Sequence, residues 1–499
     1  MKRIINKLSI ALLAALVFTT GCKKEFLDTK PTDDVSGETI FQTTQGAYVA
    51  LDGTYRNMWE SLTNHGNFGQ RAYDLTADLM GEDMVVHKQG YGWFNGEYNY
   101  SALQTAAADQ RSDRTWYYYY TLINNANRIL AAIDEVTGPD ADKANIKGQA
   151  LAIRANSYYY LVNFFQQTYK GNENKPGVPL YTEPTSEGKG RGTVQEVYNQ
   201  IIADLTEAET LLEGAPRLHK SHINQKTVQG IRARVALVME DWATAASYAN
   251  KARQGMQPMP AAQYTTSGFN TLSNSEWIWG LEVNVEQATI FASFYSHVDA
   301  NSGGYASLGT QKKITKALYD EMSDTDVRKD NFVALDEDTD NDWPPFNQTK
   351  FKLRQPGVWA SDYLLMRASE MYLIEAEALA RTGGDAASVL ESLVQVRDPQ
   401  YSATGLSGAS LLEEIKLQRK IELWGEGFGL FDVKRYGEGL NRPLGAGNHN
   451  GSDLVPVKPG ANFATSVVTL PANDPLFLMR IPQNELNSNN EMTPGDQNP

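Results

Sequence analysis

Residues 226–253 read KTVQGIRARVALVM-ED-WATAASYANKAR. The first arm, Lys226 to Met239, has helical periodicity, and so does the second, Trp242 to Arg253. Only Glu240-Asp241 breaks the pattern, which predicts two antiparallel helices in a tight hairpin. Ala233, Ala236, Ala245, Ala246 and Ala249 are small, so the two helices can approach closely. The same layout returns at Ser361 to Arg381 and Asp385 to Val396, separated by Gly383-Gly384.

Each pair resembles a tetratricopeptide unit, in which two antiparallel helices over about 34 residues stack on their neighbours. The resemblance rests on helix pairing, since the repeats are degenerate. Further helices are expected at Thr43–Leu62, Arg114–Val136, Asn145–Tyr169 and Thr193–Leu212. Tyr48, Leu51, Tyr55 and Trp59 recur at spacings of three and four in the first, and Trp59 reads as core. In the last, Thr193 followed by Glu196 has the form of a capping box. Pro176 and Pro179 end the Asn145–Tyr169 helix and begin a loop. Segment 63–103, with its Gly and Asn, and segment 440–475 read as loop-rich. Segment 257–310, with Gly, Ser, Asn, aromatics and patches of strand-like alternation, and segment 337–359, acidic, then proline-bearing, then apolar, do not read as helical. The expected fold is mainly α, a helical-repeat scaffold carrying a loop-rich layer with little β structure.

The N-terminus carries a separate message. Lys2, Arg3 and Lys7 precede the apolar run Ile10–Phe18, which is too short for a span needing roughly 20 apolar residues but has the proportions of a secretory signal. Thr19-Thr20-Gly21 then lead to Cys22, the one cysteine among 499 residues. Small residues before a cysteine fit the bacterial lipoprotein-processing pattern, with Thr19 in place of the usual Leu. The expectation is a signal peptide over 1–21, lipid on Cys22 and a tether over 22–40. With no second cysteine, an exported chain must be held by its core. No later stretch reads as a transmembrane helix.

Removing Lys2, Arg3 and Lys7 takes the formal charge from −15 to −18. That sign argues against nucleic acid, which demands basic patches. The chain holds 25 tyrosines, whose flat faces and polar tips suit wet interfaces.

Three segments are more specific. Asp362–Ala378 (DYLLMRASEMYLIEAEA) resembles the ADVLLMYAEALN-type helix of the SusD/RagB family. Arg419–Gly437 (RKIELWGEGFGLFDVKRYG) resembles its ERRxELxxEGxRxxDLxRxG segment, and Ile481–Asn489 (IPQNELNSN) its terminal motif. Phe26-Leu27-Asp28 matches the family's opening. The matches keep the family's order and span nearly the whole mature chain. Gly429, where a bulkier residue or Arg is common, and Asn489-Asn490, for the usual Asn-Pro, depart from the pattern. On physical grounds Ile421, Leu423, Trp424, Phe428, Leu430 and Phe431 would pack a helix end. Glu422, Glu426, Asp432, Lys434 and Arg435 would pair around it, and the glycines would allow positive φ. Acids among basic partners favour ionised ion pairs over the raised pKa of a glycosidase acid.

The resemblance implies a binding protein without catalysis: an outer-membrane lipoprotein, facing outward, that acts as the lid of a SusC-like TonB-dependent transporter. Its ligand would be an oligosaccharide or, as in RagB-like relatives, a peptide. It implies a SusD-like fold, with an N-terminal region over 41–260 and a C-terminal region over 261–499. It also directs attention to two loop segments. In the first, Trp93, Tyr98 and Tyr100, with Asp78 and Asp83 upstream, are the candidates for sugar faces and hydroxyls; Tyr91, Phe94, Asn99 and Glu82 lie among them. In the second, Tyr295 and Tyr305 are chosen from a set that includes Phe291, Phe294 and His297. Trp277 and Trp279 alternate with Ile278, so one of them should face the core. The Tyr117–Tyr120 run lies on a helix and reads as packing.

No cofactor or metal is expected. The acidic run Asp336–Asp342 starts like an EF-hand loop but has Asn341 and Asn347 where Gly and Glu belong, so it reads as a solvated loop. The six histidines show no ligand spacing, and no phosphate loop or nucleophile elbow is present.

Overall fold

The computed structural model describes residues 40–60, 64–335, 343–450 and 465–499. Cys22, the tether and the acidic run 336–342 lie outside the described residues.

The helical hairpin at 226–253 forms as expected. Helix α7 (Gln225–Met239) ends at Glu240, which takes a left-handed φ of 58°. Asp241 then caps α8 (Trp242–Arg253) by accepting from the Thr244 N–H. In chain order before it come α1 (Thr44–Asn57), α2 (Gln70–Leu79), β1 (Met84–Val86), α3 (Asn95–Tyr98), α4 (Arg111–Ala132) and α5 (Asp140–Phe165). Next are β2 (Pro176–Pro179), β3 (Arg191–Thr193) and α6 (Val194–Leu211). The Thr193–Glu196 capping box closes on both sides. Pro176 to Pro179 is not loop: it pairs antiparallel with Arg191–Thr193, an edge strand that tolerates proline because its N–H is not needed.

After α8 follow β4 (Trp277–Leu281), α9 (Phe294–Val298), β5 (Lys312–Ile314), β6 (Tyr363–Arg367), α10 (Ala368–Thr382), α11 (Ala386–Val394), α12 (Gly408–Glu422), α13 (Gly429–Tyr436) and α14 (Gln483–Ser488). Helices α4, α5 and α6 stack in sequence, as do α7, α8 and α10. Buried ion pairs fix the stacking at two points. Arg154 on α5 grips Asp204 on α6 at 2.8 and 2.7 Å. Arg234 on α7 grips Glu370 on α10 at 2.6 and 2.7 Å.

Two elements depart from the sequence reading. Residues 70–79 form a fully buried helix inside the segment read as loop. Residues 363–367 are strand, not the first turn of a helix, and pair antiparallel with β4. This two-stranded unit is buried on both faces, so the alternation of Trp277 and Trp279 with Ile278 carries no inside–outside meaning. Both tryptophans are core: the Trp277 indole N–H donates to the Gly268 carbonyl and the Trp279 indole N–H to the Ser221 carbonyl. One apolar core runs from Ala47 to Met492, across the 260/261 boundary. No helix among the described residues is long and apolar enough to cross a membrane.

Candidate ligand-binding site

Strands β1 and β5 pair antiparallel, Met84 opposite Ile314. This brings the loop after β1 beside the loop before β5. The β1 loop turns through positive φ at Gly90, Gly92 and Phe94. A phenylalanine at φ 64° is strained, and burial holds it. The Phe94 ring packs on Phe68 and His297, with the Arg111 guanidinium 4.9 Å from its centroid. With Phe94 turned inward, its neighbour Trp93 stays half-buried at the surface. Trp93 lies over Gly66, where a Cβ would meet the indole at 3.2 Å.

Around Trp93 stands a cluster of rings whose hub is Tyr305. Tyr305 lies 5.8 Å from Trp93, 5.2 Å from Phe291, 5.5 Å from Tyr91 and 5.1 Å from His297, centroid to centroid. Tyr305 is 8% exposed and forms the floor, whereas Phe291 is 38% and Tyr91 69% exposed. His65 is exposed, stacks on Phe291, and its Nδ1 is 2.7 Å from the Tyr305 hydroxyl. Beneath, His297 Nε2 reaches the His65 carbonyl at 2.8 Å. Burial lowers the His297 imidazole to about 3, so it stays neutral and acts as an N–H donor that fixes the His65 loop.

A cavity of about 290 Å³ opens beside Trp93, walled by Asn64, Asn67, Glu97, Arg111 and Arg114 among others. Arg111 is committed to structure: it donates to Glu97 at 2.6 Å, Asn67 at 3.1 Å and the Gly66 carbonyl at 3.0 Å. The chemistry on offer is flat aromatic faces flanked by amide, imidazole and carboxylate groups.

Of the residues singled out from the sequence, the fold brings Trp93 and Tyr305 together here. Tyr98, Tyr100 and Tyr295 it places in the core. Tyr98 stacks on His449 and bonds its Nδ1 at 2.5 Å. Tyr100 donates to the Met80 carbonyl. Tyr295 reaches the carbonyls of Phe269 at 2.8 Å and Asp362 at 2.7 Å. Each is about 1% exposed or less, so none presents a face to a ligand. The glycine-rich context that made Tyr98 and Tyr100 look exposed instead serves close packing: α3 is a single turn wedged into the core. Asp78 and Asp83 lie elsewhere, in a separate cavity of about 220 Å³ against α12 and α13. Asp78 accepts the N–H groups of Gly427, Phe428 and Gly429 at 2.8, 3.1 and 3.2 Å. It caps the start of α13 from another element, although burial still raises its carboxyl to about 7. Asp83 faces Lys420 at 3.9 Å. His65 belongs to the platform although its signal in the sequence is weak, one histidine between Asn64 and Gly66.

The Arg419–Gly437 segment turns between α12 and α13 with Gly425 at φ 78° and Gly427 at φ 98°. Gly429 packs flat on α2 and Gly81, where a Cβ would lie 3.2 Å from Ala77 O and Asp78 Cα. That contact accounts for glycine at this position. Glu422, with no exposed surface, meets Arg367 at 2.7 Å, Arg397 at 3.0 Å and Arg328 at 3.4 Å. Glu426 meets Arg367 at 2.7 Å and Lys350 at 2.6 Å. Asp432 pairs with Arg419 and Arg435, both at 2.7 Å. Burial alone would raise these carboxyls, but the surrounding cations hold Glu422 well below its ordinary range and lower Glu426 and Asp432. They stay ionised and structural. Lys434 pairs with no acid among the described residues: it donates to the carbonyls of Asn163 and Gln166 at the C-terminal end of α5, each at 2.5 Å.

A family model described as "Starch-binding associating with outer membrane" matches residues 25–237, and the SusD family model matches residues 349–499. A SusD-like carbohydrate binding protein from Bacteroides vulgatus superposes with a TM-score of 0.78 at 30% identity, over 91% of this chain and 98% of that one. The chain belongs to the SusD/RagB family. A SusD superfamily protein from Bacteroides thetaiotaomicron shares the fold at a TM-score of 0.76 and 22% identity, over 92% and 100% of the two chains. Among curated sequences, SusD-like protein P25 of Formosa agariphila is 23% identical over 86% of this chain and 90% of its own length. The mainly helical, SusD-like fold class expected from the sequence therefore holds, and the Arg419–Gly437 motif is an ion-paired frame.

Proposed function

We propose that this protein binds oligosaccharide or polysaccharide on the Trp93–Tyr305 platform and passes it to a SusC-like TonB-dependent transporter. The observation that carries the reading is the exposure of several rings on one fixed floor: Tyr91, Trp93, Phe291 and His65 around Tyr305. Sugar rings present C–H faces that lie on such surfaces, and nearby amides and carboxylates serve their hydroxyls. Rigid aromatic anchors lose little entropy on binding, so they contribute affinity efficiently. The 30%-identical relative is described as carbohydrate binding, which supports the same reading. In this reading the chain binds and does not catalyse, and Trp93, Tyr305, His65, Phe291 and Tyr91 are its ligand residues.

The reading also has the mature chain begin at Cys22, with its lipid in the outer membrane and residues 22–40 as an outward-facing tether. The matched family's description as associating with the outer membrane supports that location. The test is binding by calorimetry to a panel of neutral polysaccharides and to a mixed peptide digest. Trp93→Ala should weaken glycan affinity by about tenfold, as loss of one stacking anchor of about 1.4 kcal/mol would. Unchanged affinity would remove the platform from the site. Tighter binding of the peptide digest than of any glycan would make the protein a peptide-capturing lid instead. Affinity capture from native membranes should recover a TonB-dependent transporter; its absence would sink the delivery step.

A further inference from the structure

A second groove runs between α4, the segment after β2 and α14. Its volume is about 390 Å³, larger than the cavity at Trp93. The tyrosine run on α4 divides over it. Tyr118 and Tyr119 pack inward, as the helical reading requires, but Tyr117 is 59% exposed. Trp116 and Tyr120 sit 4.9 Å apart, and Tyr181 meets Tyr120 edge-on at 5.7 Å. Their polar tips are held by backbone: Tyr120 donates to the Pro179 carbonyl at 2.8 Å, and Tyr181 accepts the Lys189 N–H at 3.1 Å. The rings are thereby fixed, and the surface they offer the groove is apolar and flat.

The polar lining is made of amide, hydroxyl and carboxylate groups. Asn124 is exposed at the wall. Glu183, Glu187 and Glu485 line the groove, and among the described residues no lysine or arginine does; the nearby Lys189 ammonium sits over the Tyr181 ring at 5.7 Å. Glu485 accepts from Asn489 on one oxygen at 2.7 Å, which leaves acceptor capacity on the other. Carboxylates and an amide beside fixed rings match hydroxyl donors on a sugar, and three carboxylates together repel a sugar that bears an acid group.

The groove and the cavity beside Trp93 share a wall-forming helix, α4. Arg114 walls the Trp93 cavity and Tyr117 walls this groove. Three residues apart on α4, they occupy the same face, displaced by about 4.5 Å along the axis. From Trp116 to Asn127 the groove follows α4 for about 16 Å. We propose that this groove is a second carbohydrate subsite, taking uncharged sugar units of a chain whose first units lie on the Trp93 platform. The proposal rests on the glycan-binding reading above, and adds that the preferred ligand is long and neutral.

The test measures, by calorimetry, the affinity of the full mature chain for disaccharides and hexasaccharides of β-1,3-glucan, xylan and α-1,4-glucan, then of oligogalacturonate. The parent should bind its best neutral hexasaccharide more tightly than the matching disaccharide. Tyr117→Ala should weaken the hexasaccharide by roughly two- to tenfold and leave the disaccharide unchanged. Glu485→Gln should weaken the hexasaccharide in the same selective way. If Trp93→Ala weakens both lengths while Tyr117→Ala and Glu485→Gln leave the hexasaccharide untouched, the groove is not a subsite and the platform reading stands. If no glycan binds, or Trp93→Ala changes neither length, the platform reading falls and the subsite with it. A gain in affinity from digalacturonate to the hexamer as large as for the neutral series would overturn the preference for uncharged sugars.

Discussion

Replacing Glu422 by glutamine tests the claim that the family segment is a structural frame. The carboxylate has no exposed surface and takes charge-assisted bonds from Arg367, Arg397 and Arg328. Arg367 and Arg397 also contact Glu276, at 3.0 and 3.5 Å, and Arg328 contacts Asp326 at 2.6 Å, so the variant leaves the cations partly compensated. Removing one partner of a buried pair costs about 3–5 kcal/mol. The entropy of unfolding for a chain this long is about 1 kcal/mol/K, so the melting temperature should fall by about 3–5 °C. The pH dependence has a definite sign. Glu422 is held well below its ordinary range in the fold, so its contribution is present above the unfolded carboxyl value, about 4.3. That contribution is lost as pH falls through the folded value. The gap between parent and Glu422→Gln, followed by differential scanning calorimetry, should therefore be full at pH 7 and shrink steadily below about pH 4.3. A gap under about 1 °C at pH 7, or one that widens in acid, would refute the frame.

Lys434→Met leaves two carbonyls at the end of α5 without their donor; each such buried group costs about 1–3 kcal/mol, so urea unfolding should show a lower midpoint. Gly66→Ala places a methyl 3.2 Å from the Trp93 ring and 3.3 Å from the Arg111 guanidinium and should weaken glycan binding measured by calorimetry, though less than Trp93→Ala does. Cys22→Ser should move the protein from the membrane to the salt-washed soluble fraction in cells lacking the transporter; retention on the membrane would refute the lipid anchor.

The fold was largely legible because its signals are local. Helical spacing, the Thr193–Glu196 box and the Glu240-Asp241 break each act within one turn of the chain, so sequence alone determines them. The three C-terminal motifs likewise identified the family, and the mix of acids and bases in Arg419–Gly437 foretold ionised pairs. The candidate site was less legible because exposure is a property of the whole fold. Tyr98, Tyr100 and Tyr295 sit among glycines and serines as Trp93 and Tyr305 do, yet only the latter two reach the platform. What separates them is the inward turn at Phe94 and the pairing of β1 with β5, which join residues more than two hundred positions apart. The same long-range packing made Asp78 a cap for α13, set β6 where a helix was expected, and left Tyr117 exposed while Tyr118 and Tyr119 were buried. A residue's type records what its side chain can do; only its tertiary neighbours decide whether solvent or a ligand can reach it.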